Sequence, residues 1–308
     1  MNTPSSSPRE RRLAFVAWIT VCVVWGTTYL AIRVALESVP VALLAGLRWT
    51  AAGTLMIAAL AAAGKPLPPR REWPALAFVG CMMTVVGNGF VVWAEQFVAS
   101  GLAAVVVATV PFWNVAIETA LPGGERVSAR TLAGLTVGFS GILVLVWPEL
   151  AVSGAGSRFV LGILALQAAC VGWAIGTSFT KRRPASGHPL GAPAFQMLFG
   201  GIVFLGLASV TGEWSRLTFT GRSGTAMVYL LVAGSIVGYS CYVYALRHLS
   251  VSTVSLYAYV NPIIAVILGS ALLGEPFTPR VVVAAALVLA GIAIVRQRPV
   301  SGRVTSRR

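Results

Sequence analysis

The amino-acid sequence predicts an all-α integral membrane protein with about ten transmembrane helices, arranged as two inverted five-helix repeats. Three observations support this fold class. First, 57% of the 308 residues are hydrophobic and only 10% are charged, whereas soluble domains carry about 25% charged residues. Second, apolar runs long enough to cross a bilayer fill nearly the whole chain. Third, landmark residues of the first half recur in the same order in the second half.

Ten apolar runs define the predicted spans. A spanning helix needs about 20 mostly apolar residues, and short polar or basic separators divide the chain into runs of that length. No separator is long enough to hold a soluble domain. We therefore predict a cytoplasmic tail over 1–12, a first repeat over 13–148, a second repeat over 159–298 and a basic cytoplasmic tail over 299–308. The spans lie roughly at 13–33, 41–63, 73–95, 99–120, 129–148, 159–181, 190–211, 226–247, 250–273 and 278–296.

The lysines and arginines predict the orientation of these spans. With the N-terminus in the cytoplasm, 17 of the 23 basic residues fall in cytoplasmic segments, 5 fall in external segments, and Arg48 lies within a span. Cytoplasmic loops of membrane proteins carry an excess of lysine and arginine. The sequence therefore predicts a multi-pass protein of a cell (inner or plasma) membrane with both termini in the cytoplasm. The basic residues form no single patch, so nucleic acid is not expected as a partner.

The internal repeat is carried by matched tryptophan, proline, glycine and charged residues. At a shift of 148 the pairs are Cys22 and Cys170, Trp25 and Trp173, Arg33 and Lys181, Arg48 and Gln196, and Gly53 and Gly201; at 151 they are Gly87 and Gly238, Ala94 and Ala245, and Pro111 and Pro262; at 150 they are Glu125 and Glu275, Arg130 and Arg280, and Gly141 and Gly291. The repeat unit contains five spans, and because five is odd, the second copy enters the membrane upside down. Many secondary transporters are built from such inverted repeats, with the site near the midplane between the halves.

Three charged residues are candidates for substrate binding, coupling or ion pairing. Arg48 lies inside the second span, where a charge is costly and usually faces a partner or an aqueous cavity. Glu95 ends the third span in the same external half and is the nearest counter-charge by depth. Glu118, near the inner end of the fourth span, is a second acidic candidate for proton coupling. The alternatives are structural: an Arg48–Glu95 ion pair, or side chains that reach out to the membrane interface.

Pro111 and Pro262 are predicted to break the fourth and ninth spans at equivalent depths, with Asn114 and Asn261 close to the breaks. Proline removes a backbone hydrogen bond and frees a carbonyl group. Irregular backbone near the midplane is tolerated where it lines a cavity or is satisfied by neighbouring helices. The two prolines therefore indicate either a cavity wall or a simple kink. Asn88, between two glycines, offers an amide to a substrate or to a neighbouring helix.

Aromatic residues are predicted to line the same cavity. Trp25 and Trp173 lie well inside their spans, so cavity lining suits them better than the interfacial anchoring that is usual for tryptophan at a span end. The further aromatic candidates near these levels are Trp93, Trp113, Tyr239, Tyr242, Tyr257 and Tyr259.

The sequence offers no set of residues for enzymatic chemistry, a metal or a cofactor. His188 and His248 fall at helix ends without metal-binding spacing, and the chain has no aspartate to orient either ring. No phosphate-binding loop of an ATPase is present. The four cysteines form no paired motif and lie in apolar runs, so neither a disulfide framework nor a metal site is expected.

Six stretches carry a motif set that covers about residues 13–298: Trp25–Arg33, Gly46–Arg48, Val86–Gly89, Ser100–Pro111, Ser255–Pro262 and Leu273–Glu275. This set resembles the EamA-type family of the drug/metabolite transporter superfamily, close to its YedA-like branch. The resemblance implies a ten-helix inverted-repeat fold with cytoplasmic termini. It also implies a central cavity shared by both halves, to which Thr28 and Tyr29 contribute. One departure is that Pro276 follows the second Gly-Glu pair, whereas no proline follows the first.

The resemblance also implies export or exchange of amino acids, related metabolites or drug-like amphiphiles. Together with the inverted repeat, it favours a secondary-active transporter that works by alternating access and is driven by a substrate gradient, exchange or protons. The expected partners are a small-molecule substrate and the lipid bilayer, while protons and a homodimer remain open. A passive channel for small solutes is the first alternative. A membrane enzyme acting on lipid is less favoured, because no nucleophile or metal cluster is apparent.

Overall fold

The computed structural model describes residues 8–121, 129–151, 156–249, 254 and 257–296, and all regular secondary structure within them is helical. The predicted fold class is confirmed, since the described helices fit a membrane architecture of two repeats. The predicted C-terminal tail over 299–308 and residues 1–7 of the predicted N-terminal tail lie outside the described residues.

Ten long helices follow one another along the described part of the chain. The first half contains α1 (Pro8–Ala35), α2 (Val41–Ala62), α3 (Arg70–Ala94), α4 (Ser100–Ala120) and α5 (Ala129–Ala151). The second half contains α6 (Ser157–Arg182), α7 (Gly191–Val210), α8 (Gly221–His248), α9 (Tyr257–Leu273) and α10 (Pro279–Arg296). Seven of these, α1 to α4 and α6 to α8, are long and apolar enough to cross a membrane. The other three hold the shorter apolar stretches Leu132–Val144, Val260–Leu273 and Pro279–Ile294.

Two helices begin five residues earlier than the apolar runs predict. α1 begins at Pro8 rather than 13, and α8 begins at Gly221 rather than 226. At the start of α8, the Ser223 N–H donates to Thr220 Oγ1 (3.1 Å) and the Thr220 N–H donates to Ser223 Oγ (3.0 Å). This reciprocal pair satisfies two donors at the helix terminus. Polar capping therefore extends α8 beyond its apolar run.

α3 and α8 each contain a π-helical segment at matching positions, Cys81–Asn88 and Leu230–Val237. The wider turn of a π-helix changes which carbonyl groups are free and often marks a functional site. In the first segment Asn88 Nδ2 donates to the Met83 carbonyl oxygen (3.0 Å), and in the second Ser235 Oγ donates to the Leu230 carbonyl oxygen (3.0 Å). The same backbone feature thus occurs once in each half.

The two predicted proline breaks differ in the structure. α4 is interrupted between the segments Ser100–Val107 and Val110–Ala120, and Pro111 lies in the first turn of the second segment, where its missing N–H costs no intrahelical bond. Pro262 instead lies inside the continuous helix Tyr257–Leu273. The predicted break is therefore confirmed in α4 and wrong in α9. Before Pro262, the side-chain amide of Asn261 donates to the Tyr257 carbonyl oxygen (3.1 Å) in the same turn of the helix.

Close helix crossings at matched glycines join the two halves. α2 packs along α7, and α5 packs along α10. A Cβ atom on Gly53 of α2 would lie 2.6 Å from the Ala194 carbonyl oxygen of α7. A Cβ atom on Gly291 of α10 would lie 2.5 Å from the Gly134 carbonyl oxygen of α5. Any larger side chain would separate these backbones, so the recurring glycines set how closely the halves approach.

The first helix of each half packs against the third and fourth helices of the other half. α1 contacts α8 and α9, and α6 contacts α3 and α4. This reciprocal packing is what two inverted copies produce when they face each other across a common axis. It places the walls of a central cavity at the interface between the halves.

Candidate functional site

A cavity of about 380 Å³ lies between the halves, and every long helix except α5 and α7 contributes to its lining. This volume lies within the range of about 300–1,000 Å³ that is usual for small-molecule sites. Eleven of the fourteen residues predicted for a substrate site or cavity line it: Trp25, Thr28, Tyr29, Arg48, Asn88, Pro111, Trp173, Tyr239, Tyr257, Asn261 and Pro262. Their role in binding stays a prediction.

The three other aromatic candidates are not among the lining residues. Trp93, near the end of α3, packs its ring against Phe97 with the ring centroids 5.2 Å apart. Trp113 Nε1 donates to Gln167 Oε1 (2.8 Å), which joins α4 to α6 beside the cavity. The Tyr259 side chain lies outside the described part of the structure.

The acidic candidates have different surroundings. Glu118 is partly exposed and lies 3.4 Å from Arg182 and 3.8 Å from Lys181, so the structure places it in a surface ion-pair cluster. The alternative of an Arg48–Glu95 ion pair is wrong for this structure. Arg48 turns toward α8, and the carboxylate oxygens of Glu95 accept no hydrogen bond from a described residue.

Arg48 is the charged group of the cavity. Its side chain is buried, its Nε donates to Ser235 Oγ (2.9 Å), and its guanidinium carbon lies 4.2 Å from the centroid of the Trp49 ring. The π-helical segment of α8 places Ser235 and the neighbouring Gly234 against the guanidinium. A Cβ atom on Gly234 would lie 3.3 Å from Arg48 Nη2. A glycine at 234 therefore leaves this edge of the guanidinium uncovered.

Trp25 is the centre of an aromatic cluster that forms one wall. Its ring centroid lies 5.3 Å from that of Tyr239, 5.2 Å from Tyr242 and 5.1 Å from Tyr257. Edge-to-face and tilted contacts at these separations are favourable for aromatic rings. Trp25 Nε1 donates to the Gly234 carbonyl oxygen (3.1 Å), so the polar atom of the indole is satisfied by the π-helical segment. The cluster holds α1 against α8 and α9.

Three asparagines add neutral polar groups to the cavity lining. The amide nitrogen of Asn88 is occupied by the backbone of its own π-helical segment. The Asn261 amide nitrogen donates to the Tyr257 and Cys22 carbonyl oxygens (3.1 and 3.0 Å), which joins α9 to α1. Asn114 Oδ1 accepts no hydrogen bond from a described residue and is an unused acceptor at the cavity wall.

One end of the cavity is closed by a contact between the halves. Glu275, in the loop after α9, accepts from the backbone N–H of Ser100 (Oε1, 2.8 Å) and of Gly101 (Oε2, 3.1 Å) at the start of α4. A carboxylate at a helix N-terminus satisfies free backbone donors and interacts favourably with the helix dipole. A Cβ atom on Gly101 would lie 2.7 Å from Val266 Cα, so α4 and α9 touch here. We refer to the contact of Glu275 with the two N–H groups as the Glu275 latch.

Glu95 lies at the same end of the bundle. It is fully buried, and neither carboxylate oxygen accepts a hydrogen bond from a described residue. Its backbone carbonyl oxygen accepts from Arg33 Nη1 of α1. Burying a carboxyl group without a hydrogen-bond partner is costly, so the side chain of Glu95 is an unsatisfied polar group at this end of the bundle.

The exposure of the lining residues changes from one end of the cavity to the other. Near the start of α4, Ile32 and Ala104 are 4% and 2% exposed. Toward the ends of α4 and α6, Asn114 and Val115 are half-buried and Thr177 is exposed. The cavity is thus closed at the Glu275 latch and accessible at the opposite end.

Sequence reasoning did not identify Ser235, Trp49 or the contact made by Glu275. Ser235 could have been found only by recognising that Arg48, in the first half, needs an acceptor from the third helix of the second half. Trp49 is adjacent to Arg48 in the sequence, but adjacent residues on a helix face different directions. The repeated Gly-Glu pair was a signal for Glu275, although its partner lies 175 positions away. Within the described residues, no three His, Cys or Glu side chains are grouped to hold a metal ion.

The model of the EamA-like transporter family matches the chain twice, over residues 12–147 and 160–297. The chain belongs to this family. Each match covers one half, so this EamA-like transporter is built from a duplicated unit. It is 36% identical over 266 residues to a protein described as the uncharacterized inner membrane transporter YedA of Escherichia coli K12. The aligned region covers 85% of this chain and 83% of YedA. The resemblance identified from the sequence is therefore confirmed.

More distant relatives of this EamA-like transporter bear names that describe export. A Streptantibioticus cattleyicolor protein described as a probable terminal-alkyne amino-acid exporter is 28% identical, over 95% of this chain and 97% of its own length. A Salmonella typhimurium protein described as a probable amino-acid metabolite efflux pump is also 28% identical, over 92% of this chain and 95% of its own length. A crystal structure that is 22% identical, with a TM-score of 0.62, covers 92% of this chain and 96% of its own chain and shares the fold. The function class predicted from the sequence, a secondary transporter in a membrane, is confirmed.

Proposed function

We propose that this EamA-like transporter exports a small metabolite from the cytoplasm across the cell (inner) membrane by alternating access. Candidate cargo comprises amino acids, related metabolites and drug-like amphiphiles, because two relatives are named for amino-acid export and amino-acid metabolite efflux. The excess of basic residues in the loops on the side of the termini supports cytoplasmic termini. With this orientation, α4 begins at the external face, and the Glu275 latch lies there.

The observation that carries the proposal is a single cavity between two inverted halves, closed at one end and accessible at the other. In the proposed orientation the cavity faces the cytoplasm, which is the state in which an exporter takes up its cargo. Release would require the Glu275 latch to open and the cytoplasmic end to close. The two halves, 13–148 and 159–298, are the units that rock against each other in this mechanism.

Glu95 is our candidate for proton coupling. It is buried beside the Glu275 latch, and the charged groups that face it are Glu275, Arg33 and Arg48. When the latch end opens, water reaches this carboxyl group, and the cost of its ionisation falls. Export driven by an inward proton gradient then requires that this group bind its proton from the outside while the latch end is open and release it to the cytoplasm after closure, with net proton entry in each cycle. Exchange and a substrate gradient are the alternative driving forces.

Counterflow in liposomes tests the transport proposal. Purified protein is reconstituted in vesicles loaded with an unlabelled amino-acid or metabolite mixture, and uptake of the labelled compound is measured. We expect uptake that depends on the internal substrate, and we expect Glu95→Gln to abolish the dependence of uptake on a pH gradient. Folded protein that gives no counterflow across a broad metabolite panel contradicts the proposal.

Thiol labelling separates alternating access from a passive channel. In a cysteine-free background, Thr177→Cys reports the accessible end of the cavity and Ala104→Cys the closed end. A membrane-impermeant thiol reagent should modify Thr177→Cys from the cytoplasmic side of inside-out vesicles, and Ala104→Cys from the external side only when substrate drives turnover. Simultaneous labelling of one position from both sides would support the channel alternative instead.

A further inference from the structure

The central cavity has a distinctive charge. Among its described lining residues Arg48 is the single side chain that is charged at neutral pH, and none is Glu, Lys or His. The remaining lining residues are apolar, aromatic or neutral polar. A low-dielectric cavity with one fixed positive charge attracts anions and repels cations. The charge of the cavity therefore restricts the chemical class of its cargo.

Arg48 is positioned to bind an anion. The residue is only 4% exposed, and of its three nitrogens only Nε donates to a described residue, the Ser235 hydroxyl (2.9 Å). One face of the guanidinium is covered by the Trp49 ring. The N–H groups on Nη1 and Nη2 donate to no described residue, and Nη2 lies beside Gly234 in the cavity wall. Such a planar fork matches the two oxygens of a carboxylate.

The anion is expected to carry a single negative charge. One arginine balances one charge, whereas a phosphate dianion would bring a second charge into a cavity with no second cation among its described residues. Burying that second charge is costly. A monocarboxylate therefore fits the cavity better than a phosphate ester.

An aromatic wall lies next to the positive charge. Tyr239 connects the two, because its ring contacts Trp49 beneath Arg48 (centroids 6.1 Å apart) and also contacts Trp25 (5.3 Å). The ring of Tyr239 therefore lies between the Trp49 ring, which carries the guanidinium of Arg48, and the Trp25 ring. The Trp25 indole N–H is already bound to the Gly234 carbonyl oxygen, so the wall offers apolar ring surface to a ligand. A carboxylate bound to Arg48 would place the carbon atoms attached to it against this wall.

We propose that the cavity takes monocarboxylates with an aromatic or branched apolar body, with the carboxylate on Arg48 and the body against Trp25 and Tyr239. No described lining residue is a carboxylate that could pair with an ammonium group, so the amino group of an amino acid does not strengthen binding. Cationic amphiphiles are rejected by the charge of Arg48. The proposal rests on the transport function proposed above and narrows the substrates of that same cavity.

Four probes with one phenylpropyl skeleton test this class: 3-phenylpropanoate (anion), L-phenylalanine (zwitterion), 3-phenylpropanamide (neutral) and 3-phenylpropylamine (cation). Binding to the full-length protein in detergent is measured by quenching of tryptophan fluorescence and by isothermal titration calorimetry. We expect the anion to bind at least about tenfold more tightly than the amide, because hydrogen bonds to charged groups are worth that much or more. L-Phenylalanine should bind more weakly than the anion, because its ammonium group gains no counter-charge from the described lining residues, and the amine should bind weakest.

The Arg48→Gln variant assigns the preference to the guanidinium. Glutamine can still donate to Ser235, so the fold is retained, while the charge and the fork are lost. We expect the ratio of anion to amide affinity to fall to about one, with the amide affinity changed by less than about threefold. A merely structural role of Arg48 would instead weaken both ligands together. Arg222→Gln is the matched control, because Arg222 is exposed and pairs with Glu37 at the surface; it should leave the ratio unchanged.

Two results would overturn the proposal: equal affinity for anion and amide in the wild type, or tightest binding of the amine, which would indicate that the aromatic cluster binds an ammonium group. Retention of the anion preference in Arg48→Gln would also overturn it.

Counterflow of the four probes distinguishes failure of the carboxylate proposal from failure of the transport function. If vesicles exchange the amine or the amide but not the anion, export stands and the carboxylate class falls. If folded wild-type protein exchanges neither these probes nor the metabolite panel, both fall.

Discussion

Trp25 and Trp173 occupy matching positions in the two halves, and each packs against a glycine in the third helix of the opposite half. A side chain on Gly238 of α8 would overlap the Trp25 ring, and a Cβ atom on Gly87 of α3 would lie 3.4 Å from the Trp173 ring. The glycine crossings and the π-helical segments are matched in the same way. The backbone framework is therefore duplicated from one half to the other.

The side chains around the two tryptophans are not duplicated. Trp25 contacts three tyrosine rings, and Arg48 lies nearby with its charge in the cavity. The match of Arg48 in the second half is Gln196, which is buried away from the lining residues. At a shift of 151, the residues that correspond to Tyr239, Tyr242 and Tyr257 are Asn88, Val91 and Val106.

We interpret this difference as a division between the residues that support the conformational change and those proposed to bind the cargo. In alternating access each half takes up the conformation of the other, so the crossings and flexible segments must be present in both. A substrate is bound in one orientation, and its contacts need no symmetric copy. We therefore propose that the binding wall is formed by the unmatched residues Arg48 and Tyr239, together with Trp25, which packs against Tyr239.

The largest effect is expected from breaking the shared framework. Gly53→Val and Gly201→Val place a branched side chain where a Cβ atom already overlaps the backbone of the opposing helix. We expect each variant to lose about 3 kcal/mol or more of stability, and to do so equally, because the two glycines occupy matching positions. The yield of monodisperse protein in size-exclusion chromatography measures the loss. Gly206→Val is the control, since nothing lies within 4 Å of its Cβ position; a similar loss there would contradict the interpretation.

The second-largest effect is expected from exchanging the residue types at the position where the two halves differ, Arg48 in α2 and Gln196 in α7. Arg48→Gln makes α2 resemble α7, and we expect the export rate of carboxylates to fall at least about tenfold while the protein stays folded. Gln196→Arg should instead reduce stability, because residue 196 is buried and is not among the described lining residues of the cavity, so the new charge would be placed within the helix packing. Liposome transport and thermal unfolding of both variants measure these outcomes. If Arg48→Gln unfolds while Gln196→Arg is tolerated, the charge is structural and the asymmetry has another cause.

Most of the fold was predictable because it depends on patterns that are local or repeated. Apolar run length predicts the spans, and the matched landmarks predict the duplication. The exceptions have local physical causes. α8 begins earlier than its apolar run because Thr220 and Ser223 cap it. Pro262 does not break α9, since a proline interrupts a helix only where its neighbours leave the backbone unsatisfied, which depends on packing that a single sequence does not display.

The candidate site was only partly predictable. Polar or aromatic type at midplane depth selected seven of its lining residues, the expected helix breaks selected Pro111 and Pro262, and the family resemblance added Thr28 and Tyr29. The depth of a residue in the membrane could not predict where its side chain points. Arg48 and Glu95 were predicted to lie at a similar depth, yet Arg48 turns to Ser235, and Glu95 is buried beside the Glu275 latch. Such partners are separated by 175 to 187 positions and are brought together only by the packing of the inverted halves.

A smaller effect is expected from the contact that closes one end. Glu275→Gln keeps the size of the side chain but removes the charge that faces the start of α4. We expect the closed state to lose about 1 kcal/mol relative to the open one, which is about fivefold in population. Labelling of Ala104→Cys from the external side should rise accordingly. Glu37→Gln, which removes an exposed carboxylate paired with Arg222, should leave labelling unchanged; equal changes in both variants would show that the Glu275 latch does not hold the closed state.

The smallest effect distinguishes the two tryptophans themselves. Trp25→Phe removes the hydrogen bond to the Gly234 carbonyl oxygen and part of the wall beside Arg48, so we expect carboxylate affinity to fall about threefold. Trp173 lines the cavity, but its indole donates to no residue that the structure describes, so Trp173→Phe should change affinity by less than about twofold. Titration calorimetry with 3-phenylpropanoate resolves the difference. Equal losses would mean that cargo contacts both tryptophans alike, and the binding wall would then have to extend across both halves rather than lie on the side of Trp25 and Arg48.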